Sequence, residues 1–307
     1  MNNKLIIFVV LAVVVIGGAV LVATKNNPSQ ITKNGIYCSS LGTFSDAMPI
    51  QSHRSYCVKS DSNSKSYTAN MANEYSFSIV DDQGNTLKDF AITHTKPMHV
   101  IVVRKDLANF QHVHPDYDSA TGIFTFKDLT FPTDGEYRIF ADFAPSGGMK
   151  DSTGMPLGVT ISEDVKVGST YNPQSIGSEE KTKTFEGYGI SLATHGALKS
   201  GVESMLMFSI SKNSKPVTDL QEYLGALGHS VILKEGTLDF IHAHPLAMGT
   251  QNGTVSFMVD FPEAGKYKVF TQFQRVGKVF TTDFVVSVAQ GANISDTSKP
   301  RMDPSMH

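Results

Sequence analysis

HVIVVRKDLANFQHVHP, residues His99 to Pro115, is written a second time as HSVILKEGTLDFIHAHP, residues His229 to Pro245. The echo extends outward at a constant offset of 130 positions. Phe131, Pro132, Gly135, Tyr137, Phe140 and Phe143 recur as Phe261, Pro262, Gly265, Tyr267, Phe270 and Phe273. Six of the ten histidines fall inside this pattern, H-x12-H-x-H-P in both copies. A period of that length argues for two domains of ordinary size rather than a short-period solenoid.

Within each copy, short runs of β-branched and aromatic residues alternate with Gly, Pro, Asp and Asn, and helical periodicity is almost absent. In the first repeat, Tyr75 to Val80, Leu87 to Ile92, Met98 to Arg104, Phe110 to His114, Ile123 to Phe131, Glu136 to Phe143 and Gly158 to Val167 read as strands. In the second, Met205 to Ser211, Ser230 to Lys234, Asp239 to His244, Thr254 to Phe261, Lys266 to Phe273 and Lys278 to Val288 do so, and Asp219 to Leu227 reads as a short helical turn. Tyr137 and Tyr267 each open a strand just after a turn, in the slot of the tyrosine corner of immunoglobulin-like sandwiches. The expected fold is all-β: two tandem immunoglobulin-like β-sandwich domains, 67–168 and 185–289, joined by a Ser/Gly/Lys/Glu-rich linker at 169–184. A disordered tail is expected at 290–307.

His112 and His114 stand two residues apart on one strand, so they share a face about 7 Å apart. If Val103 pairs with Phe110 across the hairpin, His99 lies opposite His114. Any register with an odd index sum gathers His99, His112 and His114 on one face, and an even sum separates them. In the odd register that face also carries Ile101, Val103 and Phe110, and its echo carries Val231, Leu233 and Phe240 beside His229, His242 and His244. This apolar company places the imidazoles at the rim of a core. Strand reversal brings His94, Met149 and Met155 to the same end of the first domain.

The blocks Lys96-Pro97-Met98-His99 through Pro115 and Tyr223-Leu224-Gly225-Ala226-Leu227-Gly228-His229 through Pro245 resemble those of a largely uncharacterised family of bacterial secreted or membrane-anchored proteins. That resemblance covers both repeats but not the segment holding the cysteines or the tail. It implies an extracytoplasmic β domain connected with metal handling and supplies no established activity.

Leu5 to Ala23 is an unbroken run of 19 apolar or glycine residues, the length a transmembrane helix needs. Its apolar part is longer than that of a cleaved signal segment and lacks a good small-x-small exit, which favours an uncleaved anchor over 1–24 with the bulk of the chain extracytoplasmic. Residues 25–66 read as a tether and a segment stapled by Cys38 and Cys57, the only two cysteines, paired as a disulfide in an oxidising compartment. The net charge of −3 and pI near 6.4 carry no polyanion signature, so no nucleic-acid partner is expected.

Three converging neutral imidazoles have few acceptors among themselves, and protonating more than one is opposed by repulsion. A cation resolves the conflict. The ligand set therefore reads as His99, His112 and His114, completed by His94, Met149 or Met155, with His229, His242 and His244 as its echo. Imidazole with nearby thioether favours copper, and zinc is the alternative. The expected function is a membrane-anchored, extracytoplasmic metal-binding protein without catalysis, whose partners are the membrane, the ion and another extracytoplasmic protein. The rival is a surface interaction module whose histidines hydrogen-bond to backbone. A zinc hydrolase is a weaker third reading, since no nucleophile elbow or repeated carboxylate pair accompanies the histidines.

Overall fold

The structure, a computed structural model, describes residues 56–62, 65–81, 83–150, 154, 156–243, 245–246 and 253–291, and the backbone alone of 14–16, 19–21, 30–32 and 36–38. No α-helix occurs among them, and no helix is long and apolar enough to cross a membrane. Inside the expected anchor, β1 (Val14–Ile16) and β2 (Ala19–Leu21) form a short antiparallel pair, and the rest of that segment lies outside the described residues. The expected tail, from residue 292 onward, also lies outside them.

The first repeat uses β3 (Gln30–Thr32), β4 (Ile36–Cys38), β5 (Tyr56–Ser60), β6 (Ala72–Asp81), β7 (Phe90–Ala91), β8 (His99–Arg104), β9 (Gln111–Val113), β10 (Asp116–Asp118), β11 (Ile123–Thr130), β12 (Gly135–Pro145) and β13 (Val159–Val167). One sheet runs β10-β11-β6-β5-β4-β3 and the other β13-β12-β8-β9, with β7 beside β12. The segment at 25–66, expected as a tether and a stapled piece apart from the first domain, contributes β3, β4 and β5 to its first sheet. Cys38 and Cys57 stand directly opposite one another in its ladder.

The second repeat uses β14 (Thr182–Phe185), β15 (Tyr188–Thr194), β16 (Glu203–Lys212), β17 (Lys215–Pro216), β18 (His229–Lys234), β19 (Phe240–Ala243), β20 (Thr254–Asp260), β21 (Gly265–Arg275) and β22 (Lys278–Val288). Its sheets run β14-β15-β16-β17, with β20 also on β16, and β19-β18-β21-β22. Thr182–Phe185 is a strand where the linker was expected to continue, and Tyr223 to Ala226 is a tight reverse turn rather than a helical one. Both tyrosine corners are present: each buried ring sends its hydroxyl to the carbonyl four residues upstream, Tyr137 to Thr133 and Tyr267 to Glu263, at 2.8 Å in both cases.

Each sandwich has its own core, one around Phe77, Phe124 and Ile139, the other around Phe208, Phe257 and Phe284. A third apolar cluster lies between the repeats. It joins Ile101, Val103 and Phe140 to Val231, Leu233 and Phe270, with Phe110 and Phe240 packed against it and Ile176 contributed by the linker. The contacts are reciprocal under the 130-residue offset: Phe110 stacks on Phe270 with centroids 4.2 Å apart, and Phe140 meets Phe240 at 5.1 Å. Offset aromatic pairs of this kind add about 0.5–1.5 kcal/mol each beyond the area they bury. The two copies therefore face each other across an approximate two-fold axis, which is how an isologous pair buries the same patch twice.

Candidate metal centre at the repeat interface

The hairpin registers decide which way the histidines point. Ile101 pairs with His112 and Val100 with Val113 in the first repeat, and Val231 pairs with His242 in the second. Both index sums are odd, so the three histidines of the first repeat share a face. That face does not border its own sandwich core, as expected from its apolar neighbours. It is turned toward the other repeat, while Val100 and Val102 on the opposite face fill the core of the first sandwich.

In the first repeat, one ring nitrogen each of His99, His112 and His114 lies within 4.8 Å of the other two. His99, 2% exposed, donates from Nε2 to the Thr93 carbonyl at 3.0 Å, which leaves its lone pair on Nδ1. His112 donates from Nδ1 to Gln272 Oε1 of the second repeat at 2.8 Å, which leaves its lone pair on Nε2. Those two atoms face each other at 3.1 Å, and His114 Nε2 is also 3.1 Å from His99 Nδ1. His114 can donate one proton to His99, but nothing then lies between His99 Nδ1 and His112 Nε2.

Protonation does not relieve this. Burial, followed by repulsion from neighbouring histidines, pushes His112 well below the usual imidazole range and His114 down to about 4. Burial also lowers His99, against the opposing pull of the Thr93 carbonyl and Asp142. The rings are thus neutral ligands at pH 7. Nitrogens bound at ~2.0–2.1 Å and separated by 3.1 Å subtend roughly 100° at an ion, within reach of a tetrahedral centre.

The second repeat repeats the anchoring. His229 donates from Nε2 to the Tyr223 carbonyl at 2.8 Å, and His242 donates from Nδ1 to Asp142 Oδ2 of the first repeat, also at 2.8 Å. Asp142 and Gln272 are themselves counterparts, opposite His99 and His229 respectively in their ladders. Each is tied to the next strand by a threonine: Thr160 donates to Asp142 Oδ1 at 2.9 Å, and Gln272 Nε2 donates to Thr281 Oγ1 at 3.1 Å. Each repeat therefore orients a histidine of the other. Asp142 and Gln272 were not among the expected residues; the signal was a polar residue in an aromatic strand at the same offset in both repeats.

The remaining candidates divide. His94, from the turn before β8, brings its ring centroid 5.8 Å from His99 and 5.1 Å from His229. Met149 is 39% exposed in the hairpin after β12. Met155 and His244 lie outside the described residues.

Fold and site together define a class: a tandem β-sandwich protein with a histidine cluster sealed between its repeats. The chain belongs to the family described as a domain of unknown function (DUF8832), whose model matches residues 53–153 and again 183–290. The two matches start 130 positions apart, the offset of the internal repeat. No curated protein is similar to the chain at a significant level. Solved structures with some likeness include Escherichia coli alpha-2-macroglobulin activated by porcine elastase (12% identity, 83% of this chain and 26% of that one, TM-score 0.25). Others are domains 4 and 5 of the S-layer protein SbsC (10% identity, 78% and 100%, TM-score 0.22) and the I67–I69 fragment of titin (9% identity, 78% and 67%, TM-score 0.20). The chain spans about a quarter of the length of the first. At these scores the fold assignment rests on the strand registers and the function on the side chains.

Proposed function

We propose that the protein binds a first-row transition-metal ion through His99 Nδ1, His112 Nε2 and His114 Nε2. The observation that carries this is the pair of unprotonated nitrogens, His99 Nδ1 and His112 Nε2, held 3.1 Å apart by outward hydrogen bonds. Lone pairs so placed repel unless a cation lies between them, so the fold has spent anchoring groups on an arrangement only an ion rewards. Three imidazoles suit copper, zinc or nickel. Thioether sulfur favours copper over zinc, and Met149 and Met155 follow the strand that carries Asp142 in the sequence. The wider reading is an extracytoplasmic binding protein without catalysis, held at the membrane by Leu5 to Ala23 and stapled by a Cys38–Cys57 disulfide. The cross-strand position of the two cysteines supports the staple, since directly opposed residues have the Cα separation a disulfide needs.

The competing reading, an interaction module with structural histidines, draws support from the Thr93 and Tyr223 carbonyls that anchor His99 and His229. Thermal melting separates the two. An ion that binds only the folded chain raises Tm. Cu²⁺ or Zn²⁺ should raise it in the wild type, and His112→Ala should remove most of that rise. Identical melting with and without either ion would leave the structural reading standing.

A further inference from the structure

The second repeat brings its own imidazoles to the seam, and the first adds one with no counterpart. His94 corresponds by offset to Leu224, yet its ring centroid lies 5.1 Å from His229 and 5.6 Å from His242, and those two are 6.3 Å apart. His229 is 2% exposed. With Nε2 given to Tyr223, its Nδ1 is buried with no hydrogen-bond partner among the described residues. That orphaned atom is the counterpart of His99 Nδ1 in the first cluster.

We propose that His94, His229 and His242 form a second transition-metal site, with ligands drawn from both repeats and with Asp142 as the carboxylate that orients His242. A metal-bound histidine that passes its other N–H to a carboxylate is a recurrent arrangement, which fixes the ring and strengthens it as a donor. Asp142 also brings a negative charge to offset the ion, where the first cluster has the neutral Gln272. Burial holds His94 down at about 4 and His229 at about 3, with repulsion from His242 as the next cause, so both are uncharged at neutral pH.

His94 also sits at φ +47° and its neighbour Thr95 at +67°, the left-handed region. Non-glycine residues there cost on the order of 1–3 kcal/mol each and gather at functional sites. The matching turn in the second repeat has the same backbone, with Leu224 at φ +55° and Gly225 at +78°, so the strain that the first repeat alone carries is at Thr95. The shared turn geometry puts an imidazole at the seam only in the first repeat, where His94 takes the place of Leu224.

Ring spacing ranks the two sites. Bonds of ~2.0–2.1 Å place imidazole centroids roughly 3.2 Å from an ion, and so roughly 5.2 Å from each other at tetrahedral angles. The first cluster, at 4.9 to 5.3 Å, already has that spacing. The second, at 5.1 to 6.3 Å, must close by about 1 Å between His229 and His242, so it fills second and more weakly.

This extends the metal reading above, and counting ions tells the two apart. The full-length chain in detergent is titrated with ZnCl₂ by calorimetry, each variant first being shown to melt cooperatively. The wild type should take two equivalents of unequal affinity. His112→Ala should lose the tighter one, whereas His94→Ala and His229→Ala should each lose the weaker and keep the tighter. Asp142→Asn should weaken the second equivalent by about 10–100-fold. Should buried His229→Ala fail to fold, His94→Ala, on a partly exposed turn, decides the matter. A single equivalent in the wild type, lost with His112→Ala, would overturn the second site and leave the first intact. A second equivalent that survives His94→Ala would overturn the shared ligand set. No binding at all would remove both sites.

Discussion

The two repeats share a scaffold and differ at a few chemically loaded positions. Both hold a buried histidine by a turn carbonyl, Thr93 or Tyr223, and both send His112 or His242 across the seam to a partner strand. Yet the acceptor is an amide for His112 and a carboxylate for His242, and the turn reads His94-Thr95 in one repeat and Leu224-Gly225 in the other. What is common maintains the seam; what differs gives each side its own electrostatics. A perfectly symmetric seam would offer two equal sites, whereas this one offers a compact cluster oriented by an amide and a wider one oriented by a carboxylate.

The comparison breaks most completely if the seam itself is weakened. Phe270→Ala removes a ring that is 4% exposed and stacked on Phe110, and should cost about 3–5 kcal/mol of stability in urea denaturation. It should also lower metal affinity without touching a ligand, because Gln272, on the same strand, is what orients His112.

Acid tests both sides together. An unfolded imidazole titrates near 6.5, whereas His94 and His114 sit at about 4 and His229 at about 3, so the native chain binds fewer protons in that window. Their contribution to stability is complete above the unfolded value and is lost as pH falls toward 4. The metal-free Tm should accordingly drop by several degrees between pH 7 and pH 4, as read by calorimetry; a flat profile would mean these rings are not buried as described.

Removing the acceptor on one side only sharpens the contrast. Gln272→Ala should weaken the tighter zinc equivalent by about 10–100-fold in the same titration while leaving the weaker one in place. The smallest effect is expected at the turn. Thr95→Gly copies the second repeat at φ +67° and should change stability by less than about 1 kcal/mol, toward greater stability.

Much of this was legible because strand geometry has period 2. The pairing of Ile101 with His112 follows from asking which register keeps three histidines and Phe110 on one face, and the tyrosine corners follow from Tyr137 and Tyr267 after their turns. Periodicity reports that a face is apolar without saying what covers it. The strand His99 to Arg104 is buried on both faces, so the core of its own sandwich and the opposing repeat leave the same trace in the sequence. The strands at 30–32, 36–38, 56–60 and 182–185 are too short to show a clear alternation, whereas Tyr188–Thr194 does alternate, with Tyr188, Ile190 and Leu192 on its buried face, and is nonetheless absent from the strands expected above. Asp142 has no sequence signal beyond its offset to Gln272, which marks it as that residue's counterpart across the axis.

That axis has a thermodynamic consequence. Since each half presents the same self-complementary patch, the halves stand to one another as protomers of a homodimer fused through residues 168–181. A tether of that kind keeps the local concentration of each half around the other near the millimolar range. Coordination across the join therefore need not recruit a second molecule, and the ion's affinity should not depend on how dilute the protein becomes.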